Sequence, residues 1–229
     1  MDAKQLRARA RESLTGNWGI AIAVAAIAYL LGGLMIGSQF FPEITAQNDN
    51  LEAIRNLEFD RVHVRVGNFN VVGLVGFILG GVVQLGYAQF LLKQYHRQPT
   101  EFSDLFSQFH RFGQGFAQKF LRGLYVFLWM LLLIIPGIIK AYSYAMTPFI
   151  MADHPEMSAQ DAIRASSELM DGHKGELFWL RLTFIGWDLL AALTLNIGHL
   201  ALNPYKNAAE AAFYRQLTSV NRTEYYLGE

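Results

Sequence analysis

The sequence predicts an all-α, polytopic helical membrane protein with about six short or kinked spans and amphipathic interfacial helices between them. Three observations carry that expectation. Residues 18–41 and 66–92 contain no charged side chain, and a helix of about 20 apolar residues matches the roughly 30 Å hydrocarbon thickness of a bilayer. Residues 123–139 and 141–152 are uncharged on either side of Lys140, with Pro136-Gly137 between them. Lys and Arg concentrate at the N-terminus and between residues 93 and 122, while the loop after the first uncharged run is rich in acids. Basic flanks mark the cytoplasmic side.

The bulk composition narrows the choices. The 229 residues are 52% hydrophobic and carry 19 basic and 19 acidic side chains. That balance argues against nucleic acid as a partner. The absence of cysteine excludes disulfides, thiolate metal sites and a cysteine nucleophile.

Residues 2–14 read as an amphipathic helix, with Lys4, Arg7 and Arg11 on one face and Leu6, Ala10 and Leu14 on the other. A basic face of this kind suits an anionic surface, and it equally suits the ordinary flank of a first span. The first span, residues 18–41, is rich in Ala and Gly and ends at Pro42. Residues 43–70 form an extracytoplasmic loop. The second span, 71–92, contains glycines 73, 76, 80, 81 and 86, which permit close helix approach, and Gln84 and Gln89, which can bond between helices or line a polar cavity. In residues 99–118, Phe102, Phe106, Phe109, Phe112 and Phe116 recur near helical spacing among polar residues. This predicts one interfacial helix with its phenylalanines toward lipid.

A straight helix over residues 120–152 would be about 50 Å long. Pro136-Gly137 interrupts it, which predicts two short helices that reverse direction there. Residues 158–171 form a cytoplasmic helix, capped by Ser158 with Asp161 three positions on. Residues 177–202 resume the apolar pattern, broken by Asp188 and by a bend at 194–198, and Pro204 should kink the last helix. Both termini are expected in the cytoplasm.

The motifs Pro136-Gly137, Asp153-His154-Pro155, Gly172-His173-Lys174, Gly186-Trp187 and Pro204-Tyr205 occur in one order and spacing. In this the chain resembles the bacterial integral-membrane family of unknown function numbered 975, most strongly over residues 102–214. The resemblance implies a multi-pass protein of the bacterial cytoplasmic (inner) membrane and no settled activity. Lys140 and Asp188 depart from the family pattern.

No nucleotide loop, metalloprotease motif or nucleophile elbow is present, and no catalytic residue, metal or cofactor is assigned. Gln84, Lys140, Arg181 and Asp188 are candidates for an intramembrane polar network, since charges in apolar runs are costly unless paired or hydrated. Lys140 and Arg181 can instead reach water from helix ends. Asp188 is too short to do so, and Lys140 and Arg181 are its expected partners. Lys4, Arg7, Arg11, Phe102, Phe106, Phe109 and Phe116 are the expected lipid contacts. The functional expectation is a non-catalytic membrane protein that binds phospholipid, a protein partner or a second copy of itself, in a stress or immunity role. A small transporter or channel and a lipid-active membrane enzyme are the alternatives.

Overall fold

The first helix, α1 (Ala3–Leu14), starts where the Asp2 carboxylate accepts a hydrogen bond from the Lys4 backbone N–H at 2.9 Å. The computed structural model to which it belongs describes residues 2–31, 71–194 and 198–227, with the backbone alone at 71–75, 77 and 220–227. Among the described residues every regular element is helical. After α1 come α2 (Trp18–Leu30) and α3 (Val71–Tyr95). Two short 3-10 helices, Phe102–Phe106 and Phe109–Arg111, lead into α4 (Phe112–Leu132), α5 (Ile134–Ser143) and α6 (Thr147–Asp153). The chain continues through α7 (Ala159–Leu169), α8 (Lys174–Leu182), α9 (Ile185–Leu193) and α10 (His199–Leu227).

Two long helices organise the packing. From Val82 to Leu92, α3 is buried on nearly every side, as a helix apolar all round must be. It packs against α4, α6 and the first 3-10 helix, and also meets α2 and α10. The second organiser, α10, carries Ala208, Ala209, Ala211, Ala212, Phe213 and Tyr214 into the core and packs on α1 and α2. Small residues let backbones approach. A Cβ on Gly81 would lie 2.1 Å from the Gly115 carbonyl oxygen, and one on Gly86 would lie 2.0 Å from that of Leu105.

The chain reverses between α4 and α5. Leu133 is extended (φ −158°, ψ 138°), and α5 folds back along α4. The Tyr125 and Tyr144 rings come within 6.3 Å, whereas 19 steps of straight helix would separate them by about 28 Å. The break therefore lies at Leu133, three residues before Pro136. Pro136 occupies the first turn of α5, where its missing N–H costs nothing. Gly137 sits against the Met130 backbone, 2.8 Å from its Cα to an added Cβ. At the other turn that demands glycine, Gly172 follows α7 with φ +76°. Ser158 Oγ caps α7 by accepting from the Asp161 N–H at 3.2 Å.

The six-span expectation is overturned. Among the described residues no single helix is both long and apolar enough to cross a membrane, and one bent pair, α1 with α2 at 102°, passes by length and composition only. The first expected span is described only as far as Leu31, and the expected loop at 43–70 lies outside the described residues. The expectations that rested on the spans fall with them: phospholipid as partner, lipid-binding, transport, channel or lipid-enzyme function, and an inner-membrane location with both ends cytoplasmic.

The residues named as lipid contacts lie on several elements, and Phe102, Phe106 and Phe109 are exposed. The apolar stripe of α1, Leu6, Ala10 and Leu14, is buried within the bundle, where α1 packs on α10. Lys4 and Arg11 are exposed, but the Arg7 backbone carbonyl accepts from the Tyr205 hydroxyl at 3.2 Å. The expected helix over 99–118 is two 3-10 turns and the start of α4. Phe102, Phe106 and Phe109 are therefore not on one α-helical face, and Phe116 stacks on Phe120.

The close approach of α3 and α4 makes a direct prediction. Gly115→Ala places its Cβ 2.7 Å from the Val82 Cα and should destabilise by about 1–3 kcal/mol or more. Gly113→Ala, with nothing within 4 Å of the new methyl, should be neutral or stabilising by up to about 1 kcal/mol. Thermal melts of the two variants check the contrast.

Candidate functional site: a cation-lined cavity

Helix α4 is amphipathic in an unexpected sense. Its buried residues are Gly115, Gln118, Lys119, Arg122 and Gly123, while Phe120, Leu124, Phe127 and Leu128 are exposed. The exposed apolar surface continues through the reversal, where Leu131 to Ile135 are 62–76% exposed. The polar face of α4 points into the bundle.

What it meets there is a cavity of about 420 Å³. Gln84, Tyr87, Ala88 and Leu91 of α3 form one wall, and Lys119, Arg122, Gly123, Val126 and Met130 of α4 the next. Ala141, Ala145, Pro148 and Phe149 add an apolar side, and Arg181 of α8 with Asn203, Lys206, Asn207 and Glu210 of α10 closes it. The lining thus holds four cations and one carboxylate.

Two of these cations have carboxylate partners. Arg181 Nε donates to Glu210 Oε1 at 2.8 Å, and its guanidinium lies over the Tyr142 ring at 5.1 Å. The Arg181 side chain stays 40% exposed. Burial pulls its pKa down, but attraction to Glu210 and the hydrogen bond with it outweigh that, and the pKa rises above the ordinary guanidinium value. Lys206 Nζ donates to both oxygens of Asp188 at 2.9 and 3.0 Å, and His199 Nε2 is 3.6 Å from the same carboxylate.

Arg122 differs. It is 7% exposed, and the partner of its guanidinium is a neutral amide, with NH2 donating to Gln84 Oε1 at 3.3 Å. Among the described residues no carboxylate lies within ion-pair distance of it. Burial, with Arg181 reinforcing and Glu210 opposing, lowers its pKa to about 10. Lys119 is 3% exposed and donates to the Gly76 carbonyl at 3.4 Å. Burial and then Arg122 bring it down to about 8. Gln118 Nε2 also donates to Gln84 Oε1, at 3.2 Å, leaving its own carbonyl oxygen buried and unpartnered.

Tyr87 completes the set. It is 3% exposed, its ring stacks near Phe90, and its hydroxyl is buried without a hydrogen-bond partner. The Asn207 side chain lies beside it. Burial raises the phenol pKa, with Asn207 opposing and Glu210 adding, so the group stays a donor.

The residues singled out in the sequence are thus distributed rather than joined in one network. Gln84 and Arg181 line the cavity. Asp188 pairs with Lys206 instead of Lys140 or Arg181. Lys140 lies over the Trp129 and Tyr144 rings, at 5.2 and 5.9 Å. Of the motif residues, Asp153 binds Arg215 through two hydrogen bonds of 2.8 and 2.9 Å and accepts from the Tyr214 hydroxyl at 3.1 Å. Lys174 pairs with Asp171 at 2.9 Å. Tyr205 packs against Trp18 and Phe184, and Pro204 lies within α10. Gly186 and Trp187 lie on the exposed side of α9. Sequence reasoning missed Lys119, Arg122, Tyr87, Lys206, Asn207 and Glu210. The signal for the first two was present, since Lys119 and Arg122 share the helical spacing of Gly115 and Gln118.

Fold and cavity together define an all-α bundle with a cation-lined pocket. Residues 130–221 match the model of the family described as "Protein of unknown function (DUF975)", the family that the sequence motifs resemble. The matched stretch runs from the end of α4 into α10, so Gln84, Tyr87, Lys119 and Arg122 lie outside it. No curated protein and no solved structure matches the chain.

The two carboxylates that bind cations of α10 should differ in weight. Asp153→Asn breaks a bidentate pair whose side chains are 25% and 20% exposed and should lower stability by about 1.5–3 kcal/mol. Asp188→Asn, in a pair 32% exposed on both sides, should cost less because water screens it. Denaturant melts rank the two, and removal of Arg215 together with Asp153 should recover part of the first loss.

Proposed function

We propose that the chain is a non-catalytic binding protein whose cavity takes a small organic anion with an apolar body. The observation that carries this reading is Arg122, a buried guanidinium on the cavity wall held by a neutral amide. A buried cation without a counter-charge is costly, and an entering carboxylate or phosphate would relieve that cost while accepting charge-assisted hydrogen bonds. The size of the cavity, near the lower end of the range for small-molecule sites, supports a compact ligand. Val126, Met130, Ala141 and Ala145 would hold its apolar part. Among the described residues the lining brings together cations, amides, phenols and one carboxylate already paired with Arg181, and no serine or histidine, which favours binding over hydrolytic chemistry.

Calorimetric titration with phenylacetate and phenyl phosphate tests the reading. The full chain should bind at least one, and Arg122→Met should weaken that binding about tenfold or more. The same variant without ligand should be as stable as the parent or more so, because a buried charge gives way to an apolar side chain of similar length. Lost binding with lost stability would mark Arg122 as a structural cation and overturn the reading.

Lys119 adds a pH dependence with two opposite signs. Its amine, brought down to about 8 in the fold from 10.5, loses its charge as pH rises through about 8, so anion affinity should fall. Without ligand, the unfolded chain keeps that proton at pH values where the folded chain has released it. Stability should therefore rise between about pH 8 and 10.5. Binding and melting curves across this window, repeated on Lys119→Met, should show both trends in the parent and their attenuation in the variant.

A further inference from the structure

We propose that the exposed apolar face of α4 and α5 is where two copies of this chain meet, as a two-fold homodimer. The inference goes beyond the anion-binding reading and does not rest on it. The face lies on the side of α4 away from Lys119 and Arg122, which are buried in the bundle.

Pattern and extent lead there first. On α4 the exposed residues Phe120, Leu124, Phe127 and Leu131 recur at spacings of four, three and four. That alternation sets apolar side chains along one line of a helix, as in a seam that another helix fills. Past the reversal, Ile134, Ile135, Ile138 and Ile139 of α5 are 41–72% exposed and continue the surface, and Leu128, Leu132 and Leu133 widen it. At roughly 100 Å² for each partly exposed leucine, isoleucine or phenylalanine, the face presents on the order of 1,000 Å² of apolar side chain. The largest apolar patch on a typical monomer is about 300–600 Å². A stable complex takes about 800 Å² from each partner.

The chemistry of the face then selects the occupant. Residues 123–139 carry no charged side chain, so nothing there would choose a partner by its charge. A two-fold axis sets each patch against its own copy, and an uncharged apolar face meets itself without like charges opposing one another. Permanent homodimer interfaces are also the more apolar class. A second copy brings the same stripe of side chains, whose ridges can enter the grooves of the first. The surface is preformed, because the close approach of Gly137 to Met130 holds α5 against α4. Little order is therefore lost on association.

Sedimentation equilibrium of the full chain at micromolar concentrations tests the proposal. The parent should sediment with twice the mass of one chain. Phe127→Glu and Leu131→Glu each set like charges against each other across the axis and should weaken the dimer about a hundredfold or more. Trp187→Glu changes an exposed residue of α9, a helix that packs on α10, and should leave the dimer within about twofold of the parent. Circular dichroism checks that each variant keeps its helices, and Phe127→Ser or Leu131→Ser serves where a glutamate variant fails to fold. A monomeric parent would overturn the proposal and leave the face to an occupant other than a second copy. A mass that climbs past two copies without a plateau, a dimer that survives both stripe variants, or one lost equally in Trp187→Glu would overturn it as well.

Discussion

The character of the cavity depends on the desolvation of Arg122. A guanidinium cannot give up its proton at neutral pH, so a helix that turns one inward must surround it with acceptors or leave it a wet or ligand-filled space. Helix α4 does both. Gln84 offers an amide oxygen to Arg122 and to Gln118, and the cavity takes up the remaining volume. This works only because α3 and α4 come very close, with Gly81 against Gly115. A methyl at either position would move α4 away from α3 and take the Gln84 amide from its partners.

The cations paired across α10 are handled differently. Arg181, Lys206 and Arg215 each meet a carboxylate, from Glu210, Asp188 and Asp153 respectively. Each pair joins α10 to another helix, at α8, α9 and α6. Together with the stacking of Phe149 on Tyr214, at 5.6 Å, they hold α10 against three different segments. On that side the cations are answered by carboxylates, whereas Arg122, on the cavity wall, is held by a neutral amide. The cavity is therefore biased toward anions by its geometry, in addition to its charge count.

Several elements were legible in the sequence because their causes are local. Asp2 and Ser158 cap helices within a few residues of themselves, and Leu6, Ala10 and Leu14 share a face at helical spacing. The reversal before Pro136 follows from a proline and a glycine in an apolar run, although it falls at Leu133, where the proline can occupy the first turn of the next helix. Other features have distant causes. Asp188 meets Lys206, 18 residues later, and Asp153 meets Arg215, 62 residues later, and neither partner is visible from spacing. The inward side of α4 has a distant cause as well. Periodicity reports that Phe112, Phe116 and Phe120 lie opposite Arg122, but not which side faces the core. Uncharged length was likewise a poor guide to spans, because α3 uses much of its apolar surface against α4, α6 and α10.

The most direct test of the cationic cavity is to locate an anion in it. Iodide scatters anomalously and fits beside a guanidinium, so a crystal soaked in iodide reports where buried positive charge is accessible. The account predicts an anomalous peak within the cavity beside Arg122, between α3 and α4. Iodide peaks on exposed arginines and lysines alone, with ordinary water beside Arg122, would contradict it.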